Sequence, residues 1–213
     1  MTTKYGTDHI GRRPAENALH AVRFAREIGL PINTLLTISF IALDHDDDQA
    51  GTLFRKLQVS MTRWWRYQRQ DKGRNIGPPV SIHAHANPAG SRHVHVLLHL
   101  PPSIEVEFRG ALAKRIGKWT GLKNLGDALH MEHIDTPGSV AKYALRGIDP
   151  AFGEYLHIRP ANEGRVTGRR TGTSRFVGKA ARRAAGWKRK GPPYMLPEEL
   201  RTSGVVPKQP GSE

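Results

Sequence analysis

Residues Arg92 to Pro101 read R-H-V-H-V-L-L-H-L-P, and this stretch restricts the fold more than any other in the chain. Side chains of a β-strand alternate faces with a period of two. His93, His95, Leu97 and His99 therefore share one face, and Val94, Val96, Leu98 and Leu100 share the other. The Val/Leu face requires a hydrophobic core behind it. Adjacent imidazoles on the opposite face point to a metal ion or a polar active site, or to a histidine-rich polar surface. The chain must then build a sheet with one face packed and the other open to chemistry.

The neighbouring segments supply that sheet. Val80 to Asn87 reads as a strand joined to Arg92–Leu100 by Pro88-Ala89-Gly90, a three-residue loop that suits a type I turn followed by a left-handed glycine. This register sets His85 opposite His93 and His83 opposite His95, with all four imidazoles on one face. Thr34 to Leu43 reads as an earlier strand, with Leu36, Ile38, Phe40 and Ala42 on one face and Thr37 and Ser39 on the other. The acidic run Asp44-His45-Asp46-Asp47-Asp48 precedes a helix. Its carboxylates complement the helix N-terminus, with Asp48 able to cap, more readily than they form a metal site. That helix runs to about Gln70 on the stripe Phe54, Leu57, Met61, Trp64 and Trp65, so its tryptophans belong to a core. A second helix, Ile104 to Thr120, carries Phe108, Leu112, Ile116 and Trp119. Ala128 to Ile134 reads as a fourth strand, on which His130 and His133 face opposite ways. Ser139 then caps a helix from Val140 to Arg146 that Gly147 ends.

With an N-terminal helix from Ala15 to Ile28 in front, the order is helix, then β-α-β-β-α-β, then helix. The expected class is α+β: a ferredoxin-like (split βαβ) antiparallel sheet with helices on one face, plus a basic C-terminal extension. The expected organisation is an N-terminal arm and helix over 1–32, the ferredoxin-like domain over 33–160, and a partly disordered basic tail over 161–213.

Among 213 residues there are no cysteines, which excludes disulfides, thiolate zinc sites and cysteine nucleophiles. Any metal must use His, Asp, Glu or water. No apolar stretch is long enough to span a bilayer and no secretory segment opens the chain, so the expectation is a cytoplasmic protein without a membrane partner. The net charge of +14 calls for a polyanion, and residues 164–197 carry ten Lys/Arg with no Asp or Glu. Nucleic acid is favoured over anionic lipid because no strongly apolar helix face accompanies the charge. The segment from Gly164 to Arg175 mixes glycine with arginine, which suits close approach to phosphates without base readout. Arg165, Arg169, Arg170, Arg175, Lys179, Arg182 and Arg183 are its expected nucleic-acid contacts, with Lys188 on the same helical segment.

In order along residues 33–147, strand Leu35–Ala42, the pair His93-Val94-His95 and the segment Val140-Ala-Lys-Tyr143-Ala-Leu-Arg146-Gly147 resemble the HUH endonuclease superfamily. That superfamily includes rolling-circle replication initiators, relaxases and single-strand transposases. The resemblance implies that His93 and His95 are metal ligands and that Tyr143 is a nucleophile forming a 5′-phosphotyrosine on DNA. It implies single-stranded or hairpin-origin DNA as partner and a divalent ion, Mn²⁺ or Mg²⁺, as cofactor. The family's third ligand, often Glu on a neighbouring strand, has no Glu counterpart here, and His85 is the best positional match. A three-imidazole site suits Mn²⁺, Co²⁺, Ni²⁺ or Zn²⁺ better than Mg²⁺. Arg146, three residues after Tyr143, is expected to hold the phosphate or stabilise phenolate. Rolling-circle initiation is the expected context, with relaxase or transposase chemistry as alternatives. Two other readings stand beside these: a non-catalytic RRM-like nucleic-acid-binding module, whose signature aromatics are missing, and a phosphodiesterase using activated water, with Tyr143 structural. Tyr155 and Tyr67 are the other candidate nucleophiles.

Overall fold

The computed structural model describes residues 6–188. A two-residue strand β1 (Gly6–Thr7) and helix α1 (Arg12–Glu27) precede strand β2 (Thr34–Ser39), helix α2 (Asp47–Gln70), strands β3 (Ser81–Ala86) and β4 (His93–Leu98), helix α3 (Glu105–Thr120) and strand β5 (Leu129–His133). Helices α4 (Pro137–Ala144) and α5 (Gly153–Leu156), strands β6 (Val166–Thr167) and β7 (Thr171–Thr173), and helix α6 (Lys179–Ala184) follow. The main sheet has the order β5-β2-β4-β3-β7, and every pairing in it is antiparallel. Its first four strands have the arrangement of a split βαβ sheet, as the element order predicts.

The strand alternation sorts two cores onto the two faces. Leu36, Ile38, Val94 and Leu98 bury against Phe54, Leu57 and Trp65 of α2 and Phe108, Leu112 and Ile116 of α3. Trp65 anchors this core through its indole N–H, which donates to the Gly77 carbonyl at 3.0 Å. Leu35, Ile82, Ala84 and Leu97 pack on the other side with Ala15, Ala18, Leu19, Val22 and Ala25 of α1 and Ala141 and Ala144 of α4. The two helices of the repeat thus share a face as expected, while α1 and α4 cover part of the opposite one. Alanines at these α1 and α4 positions let the helices approach closely.

Four local expectations need correction. Strand β2 stops at Ser39, because Phe40 enters a 3₁₀ turn over Ile41–Leu43 and Asp44 adopts φ 55°. The cap of α2 is Asp46, not Asp48: its carboxylate accepts from the Gln49 backbone N–H at 2.8 Å and the Gln49 side chain accepts in return. Helix α4 begins with Pro137 and ends at Ala144, so Arg146 lies just past it.

The fourth correction is the hairpin register. A turn over Pro88–Ser91, closed by the Ser91 N–H donating to the Pro88 carbonyl, takes four residues rather than three, with Ala89 at φ 49° and Gly90 at φ 78°. Ala86 pairs with His93, His85 with Val94, Ala84 with His95 and His83 with Val96. A one-residue slip moves every side chain of a strand to the other face. His83 and His85 therefore lie on the α2 face, and His93 and His95 on the α4 face.

The C-terminal segment is part of the fold through residue 188. Strand β6 pairs with β1, β7 forms the sheet edge beside β3, and α6 lies against α1. Trp187 packs on Phe24 with ring centroids 6.1 Å apart. The segment beyond the predicted boundary at residue 161 therefore contributes an edge strand to the main sheet, and the remainder of the predicted tail lies outside the described residues. No helix among the described residues is long and apolar enough to cross a membrane.

Candidate active site

His93 and His95 project from one face of β4, with ring centroids 4.8 Å apart. The Nδ1 of His93 lies 3.0 Å from the Ser91 carbonyl. A carbonyl only accepts, so Nδ1 donates this bond and Nε2 is the nitrogen left to serve as a ligand. The Nδ1 of His95 bonds to the Thr37 hydroxyl at 3.0 Å across the β2–β4 pair. Burial, helped by the neighbouring His93 and Arg146, pushes the His95 pKa down to about 4. His95 is thus a neutral imidazole at pH 7, the form that donates a lone pair.

Helix α4 brings the aromatic partner. Ala141 and Ala144 turn toward the core, which directs Tyr143 outward at 48% exposure. Its ring centroid stands 5.5 Å from that of His95, and the Arg146 guanidinium carbon lies 4.5 Å from the same ring. That cation is held in turn by an ion pair with buried Glu163. Behind Glu163, the buried Arg170 side chain donates to the carbonyls of Thr7, Asp8, Glu163 and Gly164. Gly147 makes room for this stack, since a Cβ there would sit 2.6 Å from Arg170 Nη2 and 3.0 Å from Glu163 Cβ. The row Arg170–Glu163–Arg146–Tyr143–His95–Thr37 joins the C-terminal segment to the centre of the sheet.

The sequence-predicted residues divide accordingly. Tyr143, Arg146, His93 and His95 come together. His85 does not: it is buried on the far face, edge-on to Phe54 at 4.8 Å, and cannot complete a ligand set with His93 and His95. Its pKa is held well below the usual histidine value by burial first, then by His83 and Arg92, and its Nδ1 has no hydrogen-bond partner. His83, beside it, is also pushed down to about 4 by burial and Arg169. His99 lies past the strand and bonds the Pro31 carbonyl through Nδ1 at 2.7 Å. His130, by contrast, is aligned with Thr37 and so shares the face of His95, although its imidazole is exposed and lies 3.6 Å from Glu132.

Two of the expected nucleic-acid contacts are structural. Arg170 is the clamp just described. Arg182 is buried with its guanidinium on Asn17 Oδ1 at 2.6 Å and the Val177 carbonyl at 2.5 Å. Arg165, Arg169, Arg175, Lys179 and Arg183 are exposed. Thr37 and Glu163 belong to the site although nothing nominated them as such. The alternation of β2 already set Thr37 on the polar face, while Glu163, sixteen residues after Gly147, carries no local signal.

The donor chemistry suits a divalent cation at two positions, because His93 offers a free Nε2 and His95 is neutral. Among the described residues no group of three His, Asp or Glu side chains converges to hold a metal. The three-imidazole set expected from the sequence is therefore not assembled, and further coordination positions would fall to water or phosphate oxygen. Neither the family-model scan nor the searches of curated proteins and of solved structures return a match.

Proposed function

We propose that the chain is a metal-dependent endonuclease that nicks and rejoins single-stranded DNA through Tyr143, of the kind that initiates rolling-circle replication. The observation that carries this reading is the placement of an exposed Tyr143 ring 5.5 Å from His95, with Arg146 4.5 Å over the same ring. The ring is half exposed and stands beside the oriented imidazole of His95, where a strand can reach its hydroxyl.

The Tyr143 oxygen forms a bond to phosphorus while the bond from phosphorus to the 3′ oxygen breaks. The phenol gives up its proton and the departing 3′ oxygen gains one. One phosphodiester replaces another, so the strand is rejoined by the reverse step. Arg146 neutralises phosphate charge beside the phenol, and Glu163 keeps its guanidinium there. A divalent ion on His93 and His95 would supply further neutralisation of a non-bridging oxygen. Thr37 and the Ser91 carbonyl orient the two rings for that role.

The test is incubation of the full chain with a pool of single-stranded oligonucleotides and supercoiled DNA in Mn²⁺ or Mg²⁺. The reading expects a denaturation-resistant protein–DNA adduct that is lost in Tyr143→Phe and in His93→Ala/His95→Ala, each variant remaining folded. Cleavage without an adduct would replace it with water-activated hydrolysis. An adduct surviving in Tyr143→Phe would move the nucleophile elsewhere.

A further inference from the structure

Helix α2 carries Arg63, Arg66 and Arg69 at three-residue spacing, all exposed. They line one wall of a groove of about 680 Å³, with Arg175 and Phe176 on the other wall and no Asp or Glu among its described lining residues. The Arg175 guanidinium carbon lies 4.7 Å from the Phe176 ring centroid. Successive arginines advance about 4.5 Å along the helix axis, a spacing short enough for neighbouring phosphates of one strand to be met in turn. The groove is far from Tyr143: it lies on the α2 face at the Ser81 end of β3, whereas His93 faces α4 and pairs with Ala86 at the other end.

The floor is not uniformly polar. Gln58, Thr62, Trp65, Pro79, Ser81 and Ser174 are shared with a second cavity, of about 180 Å³, which runs inward between α2 and the sheet and is lined mainly by apolar side chains. A guanidinium-lined channel opening on an apolar recess matches a strand whose backbone is anionic and whose bases are free to turn aside. A duplex presents a convex rod with its bases stacked inside, and would leave the recess unused.

We infer that this groove is a binding site for single-stranded nucleic acid, with backbone phosphates on Arg63, Arg66, Arg69 and Arg175 and an unstacked base received at the apolar recess. The inference rests on charge and shape at α2 and holds whether or not Tyr143 is a nucleophile.

Fluorescence anisotropy with a labelled 20-mer of deoxythymidine, in EDTA and over a salt series, tests it on the full chain. Arg63→Gln/Arg66→Gln/Arg69→Gln is expected to bind at least tenfold more weakly at low salt. Its log–log salt slope should be shallower by about 2, at about 0.7 per single-strand phosphate contact. A Lys triple at the same positions should retain most of the affinity. Lys114→Gln/Lys118→Gln/Lys123→Gln, which removes equal charge from α3 and its following loop, should bind nearly as wild type. Equal weakening by the α2 and α3 triples would reduce the effect to net charge and overturn the site, as would an unchanged slope in the α2 triple. Preference for a duplex 20-mer over the single strand would overturn it too. The assay in EDTA reads binding alone, so loss of adduct chemistry and loss of groove binding report separately.

Discussion

At the scale of single residues, identical side chains in the basic segment do opposite things. Arg165 and Arg169 are exposed, while Arg170 is sealed beneath Gly147 and satisfies four backbone carbonyls. Removing a buried charged donor strands its acceptors, which costs far more than losing a surface charge. Arg170→Met should therefore lower unfolding free energy by about 3 kcal/mol in urea titration, whereas Arg165→Gln should stay within about 0.5 kcal/mol of wild type. Equal stability of the two variants would contradict the clamp. Charge counting along the sequence cannot separate the two arginines, because burial depends on the β1–β6 pairing that closes over residue 170.

At the scale of elements, the β3–β4 register decides which histidines meet. The strands themselves, their alternation and the two-helix core were legible, since apolar side chains recur at the periods that pleats and helices impose. The pair His93/His95 was legible for the same reason, whereas the approach of Tyr143 and Arg146 was expected only from the family resemblance. The register was not, because it turns on one additional loop residue and on Ala89 adopting a left-handed conformation, which its identity does not advertise. Glu163 was hidden because its partner Arg146 lies seventeen residues away in an irregular segment.

The register has a measurable consequence. His83 and His95 are held to about 4 and His85 well below the ordinary value, all mainly by burial. Their unfolded-state value is about 6.5. Folded histidines therefore stay neutral while unfolded ones take up protons, so stability is fully present above about pH 6.5 and is lost as pH falls toward 4. Urea midpoints should fall between pH 7 and pH 5. In His85→Phe, which keeps a ring between Phe40 and Phe54, the pH dependence should be shallower by about one proton. An unchanged slope in that variant would mean that His85 is not buried neutral.

At the scale of the whole molecule, the C-terminal segment is structural through residue 188. Strand β7 covers the outer edge of β3, β6 holds β1, and Glu163 and Arg170 reach from this segment to the site. A chain ending at residue 160 loses a sheet edge and the anchor of Arg146 together. It should fail to unfold cooperatively on heating, followed by circular dichroism, whereas a chain ending at residue 188 should melt as one unit. Cooperative melting of the shorter chain with an undiminished midpoint would contradict this. The positive charge is also dispersed beyond that segment. Part of it lines α2, so exposed basic side chains lie on more than one side of the sheet.

The central claim is that the exposed tyrosine above the imidazole pair carries the cleaved strand. Protease digestion and mass spectrometry of chain incubated with cleavable single-stranded DNA and Mn²⁺ tests it most directly. The account predicts a nucleotide phosphate on the peptide containing Tyr143, and none on those containing Tyr67 or Tyr155. A nucleotide on either of those peptides, or cleaved DNA with no modified peptide at all, would contradict it.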